Sequence, residues 1–153
     1  MITAAVLLIH LVSFAAYVGG GFAQLQMMKL SMRAGISTEV RDSYERLSAT
    51  IATKIEVPAI FGSIASGVVF IAQNPVLMKQ GWLHGKLTCV VLLLLLSHLE
   101  MLNARKIVKA RAAGGPGADA AIEARKKRHS TLGGIGALLV VALLVLVTFV
   151  RLG

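Results

Sequence analysis

Apolar positions in this chain gather into four long runs separated by short polar stretches, and each run has the length a helix needs to cross a bilayer. The first covers residues 2–28; at ~1.5 Å per residue it exceeds the ~20 residues that a hydrocarbon core requires. The second, about 50–73, begins near Thr50, carries Lys54 and Glu56 close to its start and has Pro58 in its first turns. Asn74 and Pro75 stop it, and a short connection ending at Gly81 leads to Trp82, an aromatic of the kind that sits at a membrane interface. The third run covers 82–103. The fourth, 131–150, has almost nothing polar beyond Thr148 and is closed by Arg151. The pattern predicts an all-α, integral membrane four-helix bundle forming a single domain. Residues 2–28 read as a retained helix: no Lys or Arg precedes them, and the run is longer than the apolar core of a secretory signal.

Composition agrees with this reading. At 56% hydrophobic and 15% charged, the chain is too apolar for a soluble domain to cover its own surface. The net charge of +9 would suit nucleic acid if the cations formed a stripe interleaved with aromatics. They flank the apolar runs instead, which argues for membrane orientation and against a nucleic-acid partner. Lys29, Arg33, Arg41, Arg46 and Lys54 follow the first run, and Arg105, Lys106, Lys109, Arg111 and the stretch from Arg125 to Arg128 follow the third. Lys and Arg are retained on the cytoplasmic side during insertion, so these two loops are expected to be cytoplasmic and both termini outside. Arg41 with Glu45 and Asp42 with Arg46 fall at i,i+4 spacing, as on a short solvated helix. The glycine-rich stretch at 112–118 reads as a flexible joint, because it lacks the Lys-Ser/Thr ending of a phosphate-binding loop. Cys89 stands alone in the sequence, which excludes an internal disulfide, a Cys-rich metal site and covalent haem attachment, and it reads as a small buried hydrophobe.

Ionisable side chains within a membrane are costly and need a partner or a purpose. Four histidines are the main candidates. His10 lies in the first span towards the outer leaflet, His84 near the outer end of the third, His98 in the inner half of the third, and His129 at the cytoplasmic start of the fourth. His84 and His98 point within about 40° of each other, some 21 Å apart along the axis, so one helix presents a ligand at each leaflet. That suits a b-type cytochrome arrangement, in which neutral imidazoles from facing helices bind haem iron. His10 pairs best with His84; His98, with His129 or an open position, would make an inner site. His129, beside a basic run, is also the histidine best explained by solvation, and interhelical hydrogen bonding is the plain alternative for all four. Gly19, Gly20 and Gly21 leave room either for a porphyrin face or for a neighbouring helix, and Gly62, Ser63, Ser66 and Gly67 suit helix packing. Lys86 projects from nearly the opposite side of its helix to His84, either snorkelling or attracting a substrate carboxylate. Glu100 reads as interfacial and solvated, and Glu56 as neutralised by Lys54 or reached by water. No Ser-His-Asp set, paired-carboxylate site or HExxH motif is present, so any chemistry is expected to be redox and cofactor-supplied.

The LIH segment holding His10, the YERL segment at 44–47, Pro58, the GWLHGKL segment at 81–87 and His98 after a leucine run together resemble the HemJ-type protoporphyrinogen oxidases, small four-helix bacterial membrane proteins that bind haem b. GWLHGKL is the most specific element. The resemblance implies that His10 and His84 lie at the iron, that Lys86 is the family's lysine and His98 a further family histidine, and that the chain resides in a bacterial inner membrane. It also implies a tetrapyrrole substrate and a membrane electron acceptor such as quinone. Two segments depart from the family pattern, HSTLGG at 129–134 and QLQMMKL at 24–30. Two further readings stand beside it: a b-type cytochrome that relays electrons through one or two haems, and a haem-free structural subunit. The small-residue faces also allow a homodimer.

Overall fold

The computed structural model describes residues 2–150, so Arg151, expected to close the fourth run, lies outside the described residues. Helix α1 spans Ile2–Leu30. Helix α2 (Thr38–Ile51) continues through a π-helical turn at Ala52–Glu56 into α3 (Val57–Gln73). A 3-10 turn at Pro75–Lys79 leads to α4 (Gly81–Ala113), which is followed by α5 (Ala118–Val145) and a second π-helical turn at Leu146–Val150. Four of the resulting helical segments are long and apolar enough to cross a membrane, and their outward faces carry exposed Leu8, Val12, Val68, Leu95, Leu138 and Val141. Water penalises such faces and lipid does not. The chain is an all-α bundle of the multi-pass membrane type.

Local chemistry accounts for the joints. The Ser37 hydroxyl accepts a hydrogen bond from the Val40 N–H and caps α2. Pro58 has no N–H, and its ring crowds the carbonyl four residues back; the preceding turn widens, and the Val57 N–H bonds to the Ala52 carbonyl, five residues away. The corner between α4 and α5 uses Gly114, Gly115 and Gly117 at positive φ, where only glycine is unstrained.

Helix α4 has 33 residues, about 50 Å of helix against a hydrocarbon core of about 30 Å. It therefore overshoots the bilayer at the end carrying the two basic loops, where α2, the end of α1 and the start of α5 pack around it. Two apolar cores result. One comprises Tyr17, Ala59, Ile60, Leu93 and Leu143, with Cys89 packed at its edge. The other, at the basic end, comprises Met28, Ala49, Ala104, Ile107 and Ile122.

The polar face of α2 does not point to solvent as its charge spacing suggests. Glu45 is buried and accepts from Arg111 (Nη2–Oε1 2.9 Å) and from the fully buried Lys126 (2.7 Å). Arg111 also reaches Asp42 and Asp119, and Lys126 donates to the Ser31 carbonyl. Burial opposes the Glu45 charge, but the hydrogen bonds and charges of Arg111 and Lys126 outweigh it and hold this carboxyl below the usual range.

The room at Gly20 is taken by helix packing, not by a flat ligand. A Cβ there would stand 3.3 Å from Ile55 Cγ2 and 3.6 Å from the Glu56 backbone nitrogen, whereas one on Gly19 would meet nothing within 4 Å. Gly20→Leu is expected to wedge α1 away from the π-helical turn at a cost of about 1–3 kcal/mol, with Gly19→Leu near neutral. Thermal melting of both variants in one detergent checks this, and equal melting would contradict the packing.

Candidate functional site

Between α1, α3, α4 and α5, in the half of the bundle away from the basic loops, lies a cavity of about 540 Å³. Its walls are mostly apolar, with Phe14, Phe70, Trp82 and Leu87 among them, and its polar members include His10, Ser63, Tyr17 and Lys86. His10 is held by α3. Its Nδ1 lies 3.0 Å from the Ser63 carbonyl oxygen and 3.0 Å from Ser66 Oγ, while the Ser66 hydroxyl donates to the Gly62 carbonyl at 2.7 Å. A carbonyl oxygen can only accept, so the ring proton of neutral His10 sits on Nδ1, and Nε2 keeps its lone pair. Phe70 meets the ring edge-on at 6.0 Å. A Cβ on Gly67 would stand 3.7 Å from His10 Cε1, so a bulkier residue there would press on the imidazole. Lys86 is close enough for its charge to act on His10.

His84 is not brought to His10. It is exposed, and its Nε2 donates to the Met78 carbonyl at 2.9 Å, tying the 3-10 turn to the start of α4. Positions 84 and 86 are about 200° apart on a helix, so only one of them can face the cavity, and that one is Lys86. His98 turns away as well: its Nδ1 donates to the Leu94 carbonyl of its own helix, and its ring meets Phe61 edge-on. His129 is fully buried, contrary to the expectation of solvation, and donates from Nε2 to Gln24 Oε1 at 2.6 Å. Neither His98 nor His129 lines the cavity, and the two do not face a common space. Among the described lining residues His10 is the one histidine.

A second group of polar residues lies between the two apolar cores. Tyr17, which lines the cavity, accepts from Ser97 Oγ at 3.2 Å. Ser97 also reaches Glu56, and Glu56 and Glu100 act on each other electrostatically. Gln24 donates to Glu100 Oε2 at 3.3 Å and accepts from His129 and from the Ser48 hydroxyl. Glu56 and Glu100 are 2% and 5% exposed, so the readings of Glu100 as solvated and of Glu56 as paired with exposed Lys54 do not hold. Glycines make the space: a Cβ on Gly21 would lie 3.7 Å from Glu56 Cδ, and one on Gly133 only 2.9 Å from Glu100 Oε1. Sequence reasoning missed this layer, although Ser97, Glu100, Ala104 and Ile107 continue the stripe of Leu83, Lys86, Val90 and Leu93 at three- and four-residue spacing.

No family model matches the chain, and no solved structure matches it significantly. A protein of Synechocystis sp. named protoporphyrinogen IX oxidase is similar to it, with 29% identity over 91 residues, covering 56% of this chain and 43% of that protein. The chain thus matches less than half the length of that relative, and the similarity indicates a distant relationship.

Proposed function

We propose that this chain is a haem b-binding membrane oxidoreductase that oxidises a tetrapyrrole of the protoporphyrinogen type, in which His10 is the residue that would hold the haem iron. The observation that carries the reading is the hydrogen bond from His10 Nδ1 to the Ser63 carbonyl on the wall of an apolar cavity. Metal-ligating histidines characteristically donate their second nitrogen to a carbonyl or carboxylate, which fixes the tautomer and strengthens the ligating lone pair. At about 540 Å³ the cavity falls within the size range of cofactor sites. The residues present therefore fit the group. Haem, when bound, supplies one-electron redox chemistry. Lys86 supplies a positive charge suited to a propionate of haem or substrate, the aromatic and aliphatic walls exclude water, and Gly67 keeps the His10 ring unhindered. Oxidation of a protoporphyrinogen removes equal numbers of electrons and protons. Its electrons suit a lipid-dissolved acceptor such as a quinone, which reaches a site between membrane spans without leaving the bilayer. The similarity to the Synechocystis protein supports the tetrapyrrole assignment. An electron relay through an inner haem is less well supported, since His98 and His129 each make a protein hydrogen bond and do not converge.

A pyridine haemochrome assay with reduced-minus-oxidised spectra on detergent-purified protein, followed by fluorimetric turnover of protoporphyrinogen IX, tests the proposal. About one haem b per chain and porphyrin formation above the non-enzymatic rate are expected. Absence of haem after haem-supplemented expression would remove its basis.

A further inference from the structure

Three buried polar atoms have no hydrogen-bond partner within the layer between the two cores: Glu56 Oε2, Glu100 Oε1 and His129 Nδ1. They come from the π-helical turn, α4 and α5. All three are acceptors: the two oxygens belong to carboxyl groups, and His129 Nδ1 keeps the lone pair because Nε2–H already donates to Gln24. A polar layer kept only for packing specificity is expected to be satisfied, since each bare buried acceptor costs about 1–3 kcal/mol. Charge pairing offers no relief, because no ion pair involving Glu56 or Glu100 is found among the described residues. Nor does a metal site: no group of three His, Cys, Asp or Glu side chains among the described residues is arranged to hold an ion. A proton is the simplest species that satisfies unpaired acceptors.

The position of the layer gives that proton a route. Tyr17 belongs both to the cavity wall and, through Ser97, to the layer. At the far side Gln24 holds the Glu100 carboxyl and the His129 ring against the two halves of one amide. Along α4, Glu100 stands about 27 Å from Trp82, near the far edge of a hydrocarbon core of about 30 Å. The layer thus bridges a cavity surrounded by lipid and the wet, basic end of the bundle.

We propose that Glu56 and Glu100 share a proton and, with Tyr17 and His129, form a proton relay joining the cavity to the basic end. Each transfer conserves charge. A proton coming from the cavity is passed on once both hydroxyls rotate from the resting Ser97-to-Tyr17 bond, so that Tyr17 donates to Ser97 and Ser97 to Glu56. The carboxylate takes it up, and the proton already held on the carboxyl pair leaves by way of Glu100 Oε1 and His129 Nδ1, directly or through a water. The relay requires no particular reaction in the cavity; it serves any chemistry there that takes up or releases protons.

The test uses the full chain reconstituted in liposomes with an entrapped pH dye, a potassium gradient and valinomycin. Proton flux above that of protein-free vesicles is expected, falling roughly tenfold or more in Glu56→Gln and Glu100→Gln but unchanged in Lys54→Gln, whose side chain is exposed. Infrared spectra of the same preparations should show a protonated carboxyl band that shifts in heavy water and changes position in either Gln variant, where one buried carboxyl holds the proton alone. Tyr17→Phe, which preserves the packing ring, should slow the flux as well and stands in where a Gln variant loses its helical circular dichroism. Wild-type flux no faster than empty vesicles, flux indifferent to the folded variants, or absence of the band would each overturn the relay.

Discussion

His10→Ala is expected to reduce the haem content of the purified protein to roughly a tenth of wild type or less, while His84→Ala retains it. The sequence treats these two histidines as equals, on facing helices at similar depth, and the GWLHGKL segment favours His84 if either. The structure separates them. His10 lines the cavity with its proton committed to the Ser63 carbonyl; His84 spends its Nε2 on Met78 at the exposed start of α4. His84→Ala should therefore loosen the 3-10 turn and cost some thermal stability with haem content unchanged. Haem retained in His10→Ala but lost in His84→Ala, read by the same haemochrome assay, would reverse the ligand assignment.

Glu45→Ala is expected to destabilise the chain by about 3 kcal/mol, because it removes the shorter of the two carboxylate contacts to buried Lys126, leaving Glu123 and the Ser31 carbonyl, and takes two hydrogen bonds from Arg111. Glu45→Ala combined with Lys126→Met should recover part of that loss, since it removes both buried charges together. The clamp also predicts a pH dependence. The Glu45 carboxyl is held below its ordinary range in the folded chain, so its contribution is complete above the unfolded value and is lost as pH falls through the depressed folded one. Melting temperatures in detergent across the acidic range should fall more steeply for wild type than for Glu45→Ala. Parallel curves would mean that the cluster contributes little.

Much of the architecture was legible in the chain. Four apolar runs gave four spans, Pro58 marked the irregular turn, and the glycines after Ala113 marked the corner. What the runs could not convey is which side of each helix faces inward. Helix α4 carries His84 and Lys86 on opposing sides, and hydropathy does not distinguish them; the choice shows only when Leu83, Val90 and Leu93 are taken as the buried stripe, in phase with Lys86. The errors at the basic end share another cause. Glu45, Glu100 and His129 lie where the apolar runs give way to charge, so water is the natural expectation. The overshoot of α4 and α5 beyond the bilayer builds a second core there and closes it over these residues. Gly20 misled in a similar way, since a glycine makes room without saying for what.

The layer between the cores also divides the backbone into unequal partners. Helices α1, α4 and α5 pass through it as unbroken α-helix, three continuous struts with their amide ladders intact. The Thr38–Gln73 segment crosses it in the π-helical turn, where the Val57 amide reaches back five residues and no regular α-helical bond anchors Pro58. Bending a strut would break several regular hydrogen bonds; moving the fourth member would redistribute bonds that are already irregular. The direction of least resistance for any breathing of this layer is therefore a displacement of the Thr38–Gln73 segment against three fixed neighbours, and Glu56 is the carboxylate that would travel with it.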